Sequence, residues 1–279
     1  MRLTAPVLGW SGLLGAGVIA SVCAPIVQLV FAGLAIGVVG MAHGASDLAI
    51  VAQGRRGVFL VFYAAAFLLC LAWWIVAPAI ALPAFLLASA LHFGLEDAPK
   101  DRPIERLARG TSLVATPATL HVASLQGILL LAGVPGDVVP FMVHAMALAG
   151  GVAAVGLVVV GTLRDDRRLL AGTASLLLLP PLVGFAIGFL ILHAVPQTIA
   201  RRVQLRCATT AAYLRATSPI LAAALVLVAI VAGLVLRWDP SGMRSLFAGI
   251  AALAMPHLLV TPWFETIPQR SDVPRRLTA

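Results

Sequence analysis

The chain has no Asp, Glu, Lys or Arg between Arg2 and Asp47, and none between Arg56 and Glu96. Each stretch is about twice the ~20 residues that carry a helix across a bilayer. A stretch of that kind reads as two consecutive spans joined by a tight turn. The same pattern continues downstream, and 61% of residues are hydrophobic against 11% charged. A soluble domain carries about 25% charged residues, so a water-soluble globule is excluded. A disordered chain, which needs low hydrophobicity, is excluded too. A transmembrane β-barrel would alternate apolar and polar residues, whereas these runs are continuous. The expected fold is all-α, a polytopic transmembrane helix bundle of about 8–10 spans. It forms a single integral membrane domain over residues 1–279.

Ten apolar segments are read at 5–22, 26–46, 57–76, 79–95, 109–133, 139–162, 168–180, 182–200, 219–237 and 244–263. Met1-Arg2 followed by an apolar stretch to Ala24 has the outline of a signal peptide. The stretch is longer than a signal core and further spans follow at once, so it is read as the first helix. Around Pro180-Pro181 the choice is between one kinked helix and a tight hairpin. Charge decides. With the N-terminus in the cytosol and a hairpin, 17 of the 19 Lys and Arg fall on one side, leaving Arg237 and Arg244 on the other. A kinked helix gives 12 and 7. Basic residues collect on the cytoplasmic side, which favours the hairpin and a multi-pass protein of the cell (inner) membrane. The net charge of +8 then reports orientation and contact with membrane lipids, not nucleic acid. Arg201 to Arg215 could form an interfacial helix on anionic headgroups. Trp73, Trp74, Trp238 and Trp263 lie near span ends, as interfacial anchors do. Cys23, Cys70 and Cys207 make no metal spacing and are expected as free thiols.

All six histidines (His43, His92, His121, His144, His193 and His257) fall within or at the edge of apolar segments. Ionisable residues there are costly and mark sites. The topology puts His43, His92, His193 and His257 at similar depth on four helices running in the same direction. His121 sits mid-depth and His144 near the outer end. Four imidazoles converging in a dry bundle suit iron, copper, zinc or nickel. Asp47 lies one turn beyond His43, and Glu96 and Asp97 follow His92 by four and five residues. Metal-bound histidines donate their second N–H to such groups. Gly44 and Gly94 each follow at one or two residues, where a missing side chain would admit a substrate or a helix.

At these residues the sequence resembles a known family. GVVGMAHGASDLAI, ASALHFGLEDAP, RGTSLVATPATLH, PPLVGFAIGFLILHAVPQTIARR and AMPHLLV are similar, in order, to blocks of the Brp/Blh family of membrane β-carotene 15,15′-dioxygenases. The resemblance implies non-haem Fe(II) held by histidines, and O₂-dependent cleavage of the central double bond of a lipid-soluble carotenoid to retinal. Carried over residue by residue, it implies ligands at His43, His92 and His193. His257, in the Pro-His block and at matching depth, is expected as the fourth. His121 would line the site, and Phe93, Gly44 and Gly94 the substrate pocket. The family commonly has a second His one turn into the late block, where this chain has Gln197. That departure keeps open a non-catalytic membrane partner of a carotenoid or rhodopsin pathway. A transporter using intramembrane His and Asp is the other class. A retinal-accepting protein would be a further partner.

Overall fold

The computed structural model describes residues 5–237 and 242–265. Arg2, Trp238, Arg270, Arg275 and Arg276, all used in the sequence reading, lie outside them. Among the described residues the chain is helical, with no strand beyond one isolated bridge between Val51 and Glu265. The protein is an all-α polytopic membrane bundle. Among the described residues, seven helical segments are long and apolar enough to cross a membrane, or eight if one bent pair is a single span.

The first two helices, α1 (Ala5–Ser21) and α2 (Pro25–Leu34), are followed by a π turn at Ala35–Val39, 3-10 turns at Gly40–Ala42 and Gly44–Ser46, and the short α3 (Asp47–Ile50). Then come α4 (Arg56–Val76), α5 (Pro78–Asp97), α6 (Pro103–Thr119), α7 (Val122–Leu131), α8 (Val139–Leu163) and α9 (Arg167–Leu178). The late block is α10 (Pro181–Phe189), a π turn at Leu190–Ala194, and α11 (Val195–Gln204). The remainder is α12 (Thr210–Val235), α13 (Met243–Leu259) and α14 (Thr261–Phe264).

All ten apolar segments appear as helix, but not all are spans. The twelve residues of α9 reach only about 18 Å at 1.5 Å per residue, short of the ~30 Å hydrocarbon layer. This helix packs inside the bundle instead. Extended backbone at Leu179 and Pro180 turns the chain back, so α9 and α10 form the hairpin that the charge count favoured. The expected span at 109–133 is corrected. It begins at Pro103 and breaks between α6 and α7 with a bend of 102°. Pro117 removes one rung of the backbone ladder there, and His121 leaves helical geometry at φ −128° and ψ 41°. The expected interfacial helix at Arg201–Arg215 does not form, because α11 runs on to Gln204 and α12 starts at Thr210. Trp74 is not an interfacial anchor: it is buried against Phe85. The three cysteines are free.

Lipid supplies no hydrophobic force between helices, so close approach and polar contacts must hold them. The centre of the bundle shows both. A Cβ at Gly110 would lie 1.9 Å from the Ala90 carbonyl oxygen of α5, and one at Gly150 would lie 2.4 Å from the Ala115 backbone of α6. Thr116 donates to the Gly150 carbonyl at 3.0 Å, and Thr119 to that of Ala147 at 3.2 Å. At the arginine-rich end, buried Glu105 accepts from Arg109 at 2.7 Å and Arg164 at 2.8 Å, tying α6 to α8. The outer surface is apolar, with Val76, Phe141 and Leu163 each at least 80% exposed. A water-soluble monomer does not carry such a surface.

Gly110→Val must push two backbones apart, at a cost of at least ~2 kcal/mol, and it should lower the melting temperature in detergent. Gly127→Ala, where an added Cβ would meet nothing within 4 Å beyond its own helix, should leave it near the parent value. Equal melting temperatures would disprove the α5–α6 contact.

Candidate functional site

Four imidazoles form a ring in the buried interior. His43 lies 5.1 Å from His193 and 5.3 Å from His257, and His92 lies 5.4 Å from His193 and 5.2 Å from His257, between ring centroids. Each histidine comes from a different stretch of chain. His92 is in the last turns of α5 and His257 is near the end of α13, while His43 and His193 sit at irregular points.

Those irregularities have local causes. Pro196 cannot donate to the carbonyl four residues earlier, and the widened π turn at Leu190–Ala194 accommodates the missing bond. His193 lies inside that turn. Before His43, the π turn at Ala35–Val39 gives way to 3-10 geometry. Tyr213 of α12, fully buried, donates to the Ala42 carbonyl at 2.7 Å and pins this segment. Single π turns of this kind cluster at functional sites.

The hydrogen bonds fix the chemistry of the rings. His43 Nδ1 lies 2.6 Å from the Gly40 carbonyl oxygen, His193 Nδ1 2.9 Å from Asp97 Oδ1, and His257 Nδ1 2.7 Å from Asp47 Oδ2. A carbonyl or a carboxylate can only accept, so in all three rings Nδ1 carries the proton and donates. In the neutral ring Nε2 is then left with a free lone pair. The Nε2 atoms of His92, His193 and His257 are buried and have no hydrogen-bond partner. A buried polar atom left bare costs about 1–3 kcal/mol, so three together ask for a common partner. Neutral nitrogen donors in this number suit a transition metal. Glu96 Oε2 lies 3.4 Å from His92 Nε2, without hydrogen-bond alignment. Donor atoms of His92, Glu96 and His193 lie within 4.8 Å of one another.

The surrounding residues hold this arrangement. Thr261, one turn beyond His257, donates to the same Asp47 oxygen at 2.8 Å. Gln197 Nε2 donates to Asp97 Oδ1 at 3.3 Å. Gln197 therefore stands behind Asp97 and does not face the imidazole ring as a ligand. Asp47 is corrected in its partner: one turn beyond His43 in sequence, it bonds His257 instead. The 3-10 turn at Gly44–Ser46, between His43 and Asp47, breaks the helical period that would have put both on one face.

An aromatic wall adjoins the ring. Phe93 lies 4.7 Å from His193, Phe189 stacks on His193 at 5.5 Å, and Phe185 stacks on Phe189 at 5.8 Å. The sequence reading missed Phe185 and Phe189. Their spacing of four residues up to His193 was the available signal. Gly40 makes room, since a Cβ there would lie 2.6 Å from the Phe189 ring. Gly44 lies beside His257, its Cβ position 3.8 Å from Nδ1. Gly94 does not line the pocket; a Cβ there would meet the Arg106 carbonyl oxygen of α6 at 2.5 Å. His121 caps α7 at the bend, with no hydrogen bond or ring contact to the four. His144 turns outward and bonds the Pro140 carbonyl at 2.6 Å.

A family model described as "BCD: Beta-carotene 15,15'-dioxygenase" matches residues 34–265. The match takes in the whole ring and its supporting carboxylates, and the chain belongs to that family. No curated protein and no solved structure matches the chain.

Asp47→Ala strips two buried donors, the His257 N–H and the Thr261 hydroxyl, of their acceptor and should cost about 2 kcal/mol or more. Thermal unfolding in detergent checks this, with exposed Asp137→Ala as the neutral control. Nitrogen-15 NMR of histidine-labelled, metal-free protein should report the Nδ1-protonated tautomer at His193 and His257. An Nε2-protonated signal at either residue would refute the assignment.

Proposed function

We propose that this member of the β-carotene 15,15′-dioxygenase family binds Fe(II) through His43, His92, His193 and His257. We further propose that it cleaves a carotenoid at the central double bond with O₂, giving retinal. The observation that carries the reading is the set of bare, buried Nε2 atoms on His92, His193 and His257, two of them on rings whose Nδ1 protons are already committed to Asp97 and Asp47. The donor set and its burial fit iron. Iron bound there supplies activation of dioxygen, which the side chains themselves cannot perform.

The protein's own residues prepare the site. Asp97 and Asp47 hold two imidazoles in one tautomer and orientation and strengthen their donor nitrogens. Gln197 and Thr261 anchor those carboxylates in turn. In this chain Gln197 thus does structural work where the family commonly has a second histidine, and His257 supplies the fourth nitrogen. Phe93, Phe185 and Phe189 exclude water and offer flat apolar faces to a polyene, whose position beside the ring decides which bond reacts. β-Carotene is wholly apolar, so it partitions into the bilayer and reaches the bundle laterally. A retinal-accepting membrane protein would take the product by the same route. The strong bias of basic residues to one end of the bundle supports an inner-membrane location with that end in the cytosol.

The test is expression in a β-carotene-accumulating bacterium beside His92→Ala, with pigments quantified by chromatography. The parent chain should bleach the cells and accumulate retinal, and His92→Ala should do neither. Membrane-inserted parent protein with unchanged carotene and no retinal would sink the reading. Asp97→Ala should weaken iron affinity about 10–100-fold, measured by competition with a chelator on purified protein. Unchanged affinity would remove Asp97 from the metal's support.

A further inference from the structure

A hydrated divalent cation does not cross hydrocarbon, so a metal centre buried in this bundle needs a polar route from one end. One cleft meets that need. It is lined by Glu96, Gln197, Ala200, Arg201, Gln204 and Glu265, opens outward, and has a volume of about 240 Å³. On the same measure six waters around a cation need roughly 90 Å³ at about 15 Å³ each, so a hydrated ion fits. Within the cleft two carboxylates face one guanidinium, leaving a net negative charge. The guanidinium is occupied as well: Arg201 bonds Glu265 at 2.5 Å and Gln204 at 2.9 Å.

Glu96 belongs to both the cleft and the ring. Its side chain is 26% exposed, yet its Oε2 lies 3.4 Å from His92 Nε2. His92 is 9% exposed and His193 1%, and both Nε2 atoms are unpartnered. The donor atoms of these three residues fall within 4.8 Å of one another. Hard carboxylate oxygens at the outside and imidazole nitrogens at the inside make a graded set. An ion exchanges water for carboxylate first and carboxylate for nitrogen second.

We propose that this cleft is the loading route for a divalent metal ion and that Glu96 is the transfer ligand, handing the ion to His92 and His193 without remaining in the finished centre. The inference rests on the reading of the four histidines as a metal site.

The experiment follows uptake of Co(II) by full-length, chelator-stripped protein in detergent, using the visible absorption of the bound ion in a stopped-flow instrument. Glu96→Gln should fill to the same final cobalt content as the parent, with a rate about tenfold lower. Ala200→Glu, an exposed position on the cleft, should speed uptake at low salt, and Ala200→Lys should slow it. Both effects should fade at high salt. The Ala200 pair keeps the test decisive if Glu96→Gln folds poorly. Uptake rates unchanged across these variants would overturn the route. A lower final cobalt content in Glu96→Gln would overturn the transfer role and make Glu96 a resident ligand. Failure of the parent chain to bind cobalt at all would instead overturn the metal-site reading itself.

Discussion

Two buried carboxylate–imidazole pairs organise this protein. Asp97 holds His193 across 96 residues of sequence, and Asp47 holds His257 across 210. In hydrocarbon, a lone carboxylate or a lone N–H donor is expensive, and a satisfied pair is correspondingly hard to break. Each pair therefore does two things at once. It locks helices that share no sequence proximity, α5 to the late block and α3 to α13, and it settles which ring nitrogen stays basic. Stability and chemical readiness come from the same hydrogen bonds, and neither can be altered alone.

The spans were largely legible in the sequence, because uncharged stretches of twice the bilayer length leave few foldings open. The hairpin at Pro180 was legible through charge, since reversing it would scatter basic residues over both ends. Convergence of the four histidines followed from the same depth argument. What pattern alone could not supply was the pairing. Asp47 follows His43 by four residues, the spacing of neighbours on a regular helix, yet it belongs to His257 because a 3-10 turn intervenes. Gly94 follows a site histidine by two residues, yet serves the contact with α6. The break at His121 was also hidden, since Pro117 announces a disturbed ladder but not a 102° bend. Tyr213, Thr261 and Phe189 escaped notice for a related reason. A tyrosine, a threonine and a phenylalanine in apolar helices are ordinary, and only their partners give them roles.

The irregular turns mark where the local rules yield to the site. A regular helix presents a side chain every 100°, and four helices crossing at their own angles do not aim four rings at one point by default. The π turns at Ala35–Val39 and Leu190–Ala194 reset that phase just before or at a histidine, and Pro196 and Tyr213 keep the reset in place. Around the site, Gly110 and Gly150 let α5, α6 and α8 pack closely.

The order in which the histidines occur along the chain has a consequence for biosynthesis. His43 leaves the ribosome well before His257, and the bridge from Val51 to Glu265 closes only after both. Helices inserted early carry an unfinished ring until α13 is made. Asp47 waits for its imidazole until α13 is made, so the membrane holds a chain with an unmet buried carboxylate until that helix arrives. A product truncated before residue 257 lacks a ring member and the acceptor's partner together. It should therefore be recognised by quality control as unfolded, and not persist as a partly built oxygenase.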